Sequence, residues 1–225
     1  GPLLKSVELV DRYKGKQMQF IQQKKLGFEP HQVVAITTIA AENTTQIDAL
    51  MQGCQALSTV SGVCRAQTFP GKEASVRTLS LSSNSENGTE LLSNRVTSGF
   101  EKVLGINLLA GTTLPQKSPT DTIVHVLLNK TAVDFLGSTP DDIIGKKVEC
   151  NLGDNAYVCG VTEDFNAKSL HKAVGAYAFH DAKTEDRRFL LVKMNTTNLP
   201  ETMRQIEHVF QQSLPQSAFE YTFLD

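Results

Sequence analysis

The sequence lacks tryptophan, and aromatic residues make up only 7% of its 225 residues. Large aromatic side chains usually anchor the strongest contacts of a protein interface, so no concentrated anchor patch is predicted. Long apolar runs are missing too, since no stretch approaches the roughly 18 consecutive apolar residues of a membrane-spanning helix. The first residues also lack the charged-then-apolar pattern of a secretion signal. As it stands, the chain is predicted to be soluble.

The sequence has no large excess of positive or negative charge, because its 22 Lys and Arg nearly balance its 24 Asp and Glu and the net charge is -2. Nucleic-acid-binding proteins usually show a marked basic excess or stripe. The short basic patches at Lys14/Lys16, Lys24/Lys25 and Arg187/Arg188 are interrupted by polar or acidic neighbours and are interpreted as solvated surface. No nucleic-acid partner is predicted.

Motifs that carry chemistry at a fixed spacing are absent. There is no glycine-rich phosphate loop, nucleophile elbow, zinc-binding His-Glu-x-x-His or dinucleotide fingerprint. The five histidines are dispersed, and the proximity of His171 and His180 is interpreted as chance rather than as a metal site. No catalytic residue, cofactor or metal is predicted.

Two acidic pairs are the remaining candidates for acid–base chemistry. Asp141-Asp142 follow a proline, which favours acidic residues at a helix start. Glu163-Asp164 follow a predicted strand with no nucleophile or companion base spaced around them, which favours a structural turn. A secreted hydrolase that uses Glu163 or Asp164 with His171 is the enzymatic alternative.

The length permits one large domain or two small subdomains, and 40% hydrophobic and 20% charged residues are typical of a folded globular protein. Gly1-Pro2 resemble the residues that a tag-cleaving protease leaves behind. We therefore expect a domain excised from a longer protein.

Four cysteines permit two disulfides, with three complete pairings open. If Asp154-Asn155 form a two-residue hairpin turn, Cys150 lies directly opposite Cys159, which permits a disulfide between them. Cys54 and Cys64 flank a predicted helix-to-strand turn and permit a second disulfide, although free buried thiols are the favoured interpretation there.

Hydrophobic periodicity and turn residues give a mixed set of elements. The first part predicts a helix over Leu3–Gln23, a strand over His31–Ile39, a helix from Thr44 or Thr45 to about Leu57 and a strand over Val63–Phe69. The last part repeats this order with a strand over Arg188–Met194, a helix from Pro200 to about Leu214 and a strand over Phe219–Phe223. The sequence predicts an α+β fold of two βαβ-type halves with a β-rich segment inserted between them.

The segment Val158–Phe165, followed by Ser169-Leu170, resembles the Val-Gly-Val-x-x-Asp-Phe…Ser-Leu signature of MacB-like periplasmic domains in FtsX-like ABC-transporter permeases. Further landmarks of that family follow in the same order over nearly the whole chain. They are Leu26-Gly27-Phe28, Pro70-Gly71, Leu104–Ile106 with Ala110-Gly111, Leu128–Ala132 with Leu136-Gly137, Ile144–Lys146, Asn198–Thr202 and Phe223–Asp225. The Leu-Gly-Phe and Phe-Leu-Asp varieties look most like permeases of Bacteroidetes-type bacteria. Gly111-Thr112 replaces the usual Gly-Arg, and the cysteines are outside the pattern.

This resemblance implies a non-catalytic periplasmic domain held between the first two transmembrane helices of an inner-membrane permease. Residues 1–29 would be a stalk helix, residues 30–90 and 170–225 a porter-like subdomain, and residues 91–169 an inserted Sabre-like subdomain. The signature residues that it implies are structural: Gly27, Phe28, Gly105, Gly111, Asn129, Gly145, Gly160, Val161, Asp164 and Phe165.

The family's partners would be a cytoplasmic ABC ATPase, a second permease copy and a periplasmic adaptor or lipoprotein. The expected role is transmission of ATP-driven motion for efflux, export or lipoprotein and lipid handling. A periplasmic ligand-sensing domain of a signalling receptor is the alternative.

Overall fold

The computed structural model describes residues 31–167, 172–183 and 186–224. These residues form two compact units, the first of residues 31–63 and 189–224 and the second of residues 64–188. The predicted stalk helix, with Gly27 and Phe28, lies outside the described residues. None of the described helices has both the length and the apolar character needed to cross a bilayer.

Strands and short helices alternate along the chain. The strands are β1 (His31–Thr37), β2 (Val60–Ala66), β3 (Ser75–Leu81), β4 (Thr89–Arg95), β5 (Leu108–Gly111), β6 (Val124–Asn129), β7 (Lys147–Glu149), β8 (Ala156–Thr162), β9 (Asn166–Ala167), β10 (Lys172–Ala173), β11 (Tyr177–His180), β12 (Phe189–Asn195) and β13 (Tyr221–Phe223). The helices are α1 (Thr44–Gln55), α2 (Phe100–Leu104), α3 (Lys130–Phe135), α4 (Pro140–Ile143) and α5 (Leu199–Ser213), with a 3₁₀ turn at Ser82–Asn84. The predicted mixture of α and β structure is confirmed.

The first unit is a four-stranded sheet with the strand order β13-β1-β12-β2. β1 is antiparallel to β12, with His31 opposite Asn195, and antiparallel to β13, with Ile36 opposite Tyr221. The order β1-α1-β2-β12-α5-β13 in this arrangement is the split βαβ topology of ferredoxin-like folds. The two similar halves that the sequence predicts therefore interleave in one sheet.

Both helices of the first unit contribute to its core. Leu50 and Cys54 of α1, with Ile206 and Phe210 of α5, are fully buried in one cluster with residues of β1 and β12. α1 begins at Thr44, as predicted, and Asn43 caps it, because its side chain accepts a hydrogen bond from the amide of Gln46 (3.0 Å).

The second unit is a seven-stranded sheet, β5-β8-β6-β11-β4-β3-β7, that closes on itself because β7 also pairs with β8. Six strands complete the ring, and β5 extends the edge of β8 beyond β7. The interior face carries one apolar cluster: Leu79, Leu91, Val124, Val126, Leu128, Val148, Ala156, Val158, Val161 and Ala178, joined by residues of α3 and α4.

The boundaries between the units differ from the predicted ones. We expected residues 64–90 and 170–188 in the porter-like part, but the structure places residues 64–188 together. The reason is strand pairing. β3 pairs with β4 and β7, and β11 pairs with β4 and β6, so β3 and β11 belong to the closed sheet. Local sequence does not encode these long-range pairings.

The predicted Cys150–Cys159 register is wrong. β7 and β8 pair with Lys147 opposite Tyr157 and Val148 opposite Ala156, which makes the connection six residues long rather than two. Within this loop Asn151 has a φ of 59° and Leu152 is buried, so burial of Leu152 and Cys150 in the core selects the longer connection. Cys150 consequently does not face Cys159.

All four cysteines are free thiols, and neither predicted disulfide is present. Burial raises the pKa of Cys54 to about 12, and burial followed by the charge of Asp181 raises the pKa of Cys159 to about 12. Burial also raises the pKa of Cys64 and of Cys150. All four thiols stay protonated at neutral pH, and those of Cys54, Cys64 and Cys150 are small apolar core groups.

Candidate functional site

Three of the signature residues, Asn129, Asp164 and Phe165, make their contacts around the start of α3 and of β11. Asn129 is the last residue of β6, caps α3 and is 1% exposed. Its Oδ1 accepts hydrogen bonds from the amides of Ala132 (3.1 Å) and Tyr177 (2.9 Å), and its Nδ2 donates to the carbonyl of Gly175 (2.6 Å). One side chain thereby connects β6, α3 and the start of β11.

Asp164 also binds the first turn of this helix. Its carboxylate accepts hydrogen bonds from the amide of Thr131 (2.9 Å) and from the hydroxyl of Thr131 (2.7 Å). The neighbouring Glu163 accepts from the amide (3.3 Å) and the side-chain nitrogen (3.1 Å) of Asn107. Asp164 therefore holds the first turn of α3, Glu163 holds the loop at Asn107, and His171 lies outside the described residues.

Phe165 belongs to an aromatic cluster on the outer face of β11. Its ring lies 5.2 Å from that of Tyr177, edge to face, and 5.7 Å from that of Phe179. Phe179 is also 4.5 Å from Phe100 of α2. Aromatic pairs at these distances contribute about 1 kcal/mol each beyond burial, so Phe165 fastens the signature segment onto β11.

Gly160 and Gly111 face each other where β8 meets β5. A Cβ on Gly160 would lie 2.4 Å from the carbonyl oxygen of Thr112, and one on Gly111 would lie 2.2 Å from that of Cys159. Cys159 is the extra residue of a β-bulge, because Val126 and Leu127 of β6 pair with Val158 and Gly160. These glycines are thus required by the close approach of two backbones at the bulge.

The remaining predicted residues have structural positions as well. Val161 is fully buried in the apolar cluster, Gly105 ends α2 and Gly145 follows α4, each glycine with a positive φ. Asp141-Asp142 lie in the first turn of α4, where the hydroxyl of Thr139 accepts from the amide of Asp142 (3.3 Å). Among the described residues, no group of three or more His, Cys, Asp or Glu could hold a metal ion.

One polar group of the second unit was not predicted. Asp181 accepts hydrogen bonds from Nζ of Lys117 (3.3 Å) and the amide of His125 (2.8 Å), and it pairs with Nδ1 of His125 (2.8 Å). Arg187, interpreted from the sequence as solvated surface, is half-buried. No sequence signal identifies this group, because its members come from a loop and three different strands or strand ends.

Comparison with known proteins finds likeness at the level of structure. No protein-family profile and no curated protein matches the sequence. The extracellular domain of the ABC-type transporter YknZ from Gram-positive bacteria has a TM-score of 0.55 at 15% identity, over 86% of this chain and 100% of that one. The periplasmic region of MacB from Actinobacillus actinomycetemcomitans has a TM-score of 0.56 at 14% identity, over 86% of this chain and 88% of that one.

A domain ascribed to a permease protein from Porphyromonas gingivalis gives a TM-score of 0.55 at 14% identity, over 88% of this chain and 90% of that one. At such identities the likeness shows the fold. The chain has the fold of these transporter domains, which confirms the predicted resemblance to MacB-like periplasmic domains.

Replacing Asn129 tests whether its amide holds the three elements together. Asn129→Ala removes three hydrogen bonds and leaves the amide of Tyr177 buried without its acceptor, so we expect a loss of about 3 kcal/mol in the free energy of unfolding. Asn198→Ala is the control, because Asn198 caps the exposed start of α5 through one bond and should cost about 1 kcal/mol. Equal losses in urea unfolding would contradict the role assigned to Asn129.

Gly160→Ala tests the close approach at the bulge. The new methyl group collides with a backbone carbonyl that cannot move freely, so we expect a destabilisation of about 3 kcal/mol. In Gly137→Ala the methyl group meets open space at a φ of 71°, which leaves only backbone strain of about 1 kcal/mol. The denaturant midpoints of both variants measure this difference in stability. Equal midpoints for Gly160→Ala and Gly137→Ala would show that the close backbone approach at Gly160 is dispensable.

Proposed function

We propose that the chain is the periplasmic domain of an inner-membrane ABC-transporter permease. The observation that carries this proposal is the extent of the fold match, which spans 86–88% of this chain and 88–100% of three transporter domains. A match of that extent covers both units rather than one common motif. In this proposal the first unit is the porter-like subdomain, the second is the Sabre-like subdomain, and residues 1–29 form the stalk.

The course of the chain through the first unit supports the proposal. β1 and β13 are antiparallel neighbours, and the amide of Leu224 donates a hydrogen bond to the carbonyl of Val33 (2.9 Å). The start of β1 and the end of β13 therefore lie side by side. A domain inserted between two consecutive membrane helices needs this arrangement, because both connections must return to the same bilayer surface.

In this proposal the domain transmits motion and carries out no chemistry of its own. A cytoplasmic ABC ATPase would bind and hydrolyse ATP, and the permease would carry the resulting change across the membrane as a dimer. The packed cores of both units suit such a role, because tightly packed elements move as bodies rather than deform continuously. A periplasmic adaptor or lipoprotein would receive the motion during efflux, export or lipid handling.

Two measurements test the proposal. The isolated chain should give no binding heat with Mg-ATP in calorimetry, whereas the complete protein, purified from membranes, should bring with it a subunit that hydrolyses ATP. Stoichiometric ATP binding by the isolated chain would contradict a purely mechanical domain. A complete protein that contains a histidine-kinase domain and no ATPase partner would instead identify a sensor.

A further inference from the structure

The first unit carries a small pocket beside the end of β1. Residues 37–40 form one wall, and Leu214, Ser217, Ala218 and Glu220, which lie between α5 and β13, form the other. We call it the β1-end pocket. Its volume is about 170 Å³, and a dry apolar cavity of roughly 150 Å³ is large enough for benzene. The β1-end pocket therefore has room for one small molecule with a ring of that size.

Backbone hydrogen bonds hold the two walls in place. The amide of Thr37 donates to the carbonyl of Glu220 (2.9 Å), which joins one wall to the other. The amide of Ser217 donates to the carbonyl of Leu214 (3.0 Å), which fixes the turn that follows α5. The pocket thus exists before a ligand arrives, so little conformational entropy is lost when one binds.

The lining is mostly apolar and partly open to solvent. Leu214 is buried, whereas Ile39, Ala40 and Ala218 are exposed, so the pocket opens beside these three side chains. Ile39 is 66% exposed, which leaves a large apolar side chain in contact with water. A ligand with an apolar body would remove this surface from water, and that burial favours binding.

Two polar side chains of the lining lack a partner in the described part of the chain. Thr38 is 4% exposed, and its buried hydroxyl has no hydrogen-bond partner there. The carboxylate of Glu220 makes no hydrogen bond or ion pair there, and Glu220 is the one charged residue of the lining. A carboxylate beside an apolar pocket attracts a cation, and an ammonium group also brings hydrogen-bond donors for oxygen acceptors.

We propose that the β1-end pocket binds a small amine with an apolar body, of about the size of benzylamine. The apolar body lies against Ile39 and Leu214, and the ammonium group donates hydrogen bonds to the carboxylate of Glu220. All residues of the pocket belong to the first unit, so the site does not depend on how the two units are arranged. This inference is independent of the transport role proposed above.

Benzylamine is the probe, because it joins an aromatic ring to an ammonium group at neutral pH. It is titrated into the isotope-labelled chain, with sodium chloride keeping the ionic strength constant. We expect saturable shifts of the amides of Thr37 and Ser217 in nuclear magnetic resonance spectra, because both amides form hydrogen bonds in the pocket walls. The amide of Ala132 in the second unit should not shift. Absence of saturation up to roughly 50 mM benzylamine, or shifts of equal size at Ala132, would overturn the proposal.

Benzyl alcohol and benzoate separate the effect of the ligand's charge from that of its ring. Both keep the ring, but benzyl alcohol is neutral and benzoate is an anion. We expect benzyl alcohol to bind about threefold more weakly than benzylamine, and benzoate to bind more weakly still because the carboxylate of Glu220 repels it. Benzyl alcohol or benzoate that binds as tightly as benzylamine would overturn the assignment of an amine.

Glu220→Gln removes the negative charge and keeps the size of the side chain. We expect this variant to bind benzylamine about threefold more weakly, while its affinity for benzyl alcohol stays that of the parent. Glu207→Gln is the matched control, because Glu207 lies on α5 and is not part of the pocket lining, so it should bind both probes as the parent does. Equal benzylamine affinities of the two variants would show that Glu220 does not hold the ammonium group.

Ala218→Leu tests whether the ring of the ligand occupies the pocket. Ala218 is exposed, so the fold tolerates a larger side chain there, and that side chain reduces the space in the pocket. We expect both benzylamine and benzyl alcohol to bind roughly tenfold more weakly. An unchanged affinity together with a native spectrum would mean that the probes bind elsewhere and would contradict the proposal.

Discussion

The side-chain amide of Asn129 occupies the point on which the second unit depends. β6 and α3 follow each other in sequence and meet the distant β11 there, and Asn129 pairs with one backbone group of α3 and two at the start of β11. A buried polar group left unpaired costs about 1–3 kcal/mol, so the three bonds together fix how α3 and β11 lie against β6. Asp164 and Phe165 act on the same junction from the neighbouring strand end, through Thr131 and Tyr177.

This junction gives the signature a physical meaning. Glycine, asparagine, aspartate and phenylalanine also occur in active sites. The composition of the signature alone therefore does not distinguish a structural role from a catalytic one. Here the glycines allow two backbones to approach at a bulge, and the polar residues satisfy backbone groups or cap a helix. Asn129, Asp164, Gly111 and Gly160 thus have structural positions in the second unit.

Local patterns predicted the elements well and their pairing less well. The strands and helices of the first unit, such as the β-branched run that forms β1, follow from periodicity and turn residues. The boundary at residue 64 and the order of the closed sheet depend on contacts between distant strands, which no local pattern encodes. The Cys150–Cys159 prediction failed for a related reason: burial of Leu152 outweighed the preference of Asp154-Asn155 for a tight turn.

The central claim of the proposed function is that the first unit changes its position in response to ATP on a distant partner. Gln211 is exposed on α5, and a cysteine introduced there can be labelled selectively because the native thiols are largely buried and protonated. Electron-spin distance measurements between two such labels in the dimeric complete permease, assembled with its ATPase, test the claim directly. The account predicts different distance distributions in the nucleotide-free and vanadate-trapped states. Identical distributions in an ATP-hydrolysing complex would contradict it.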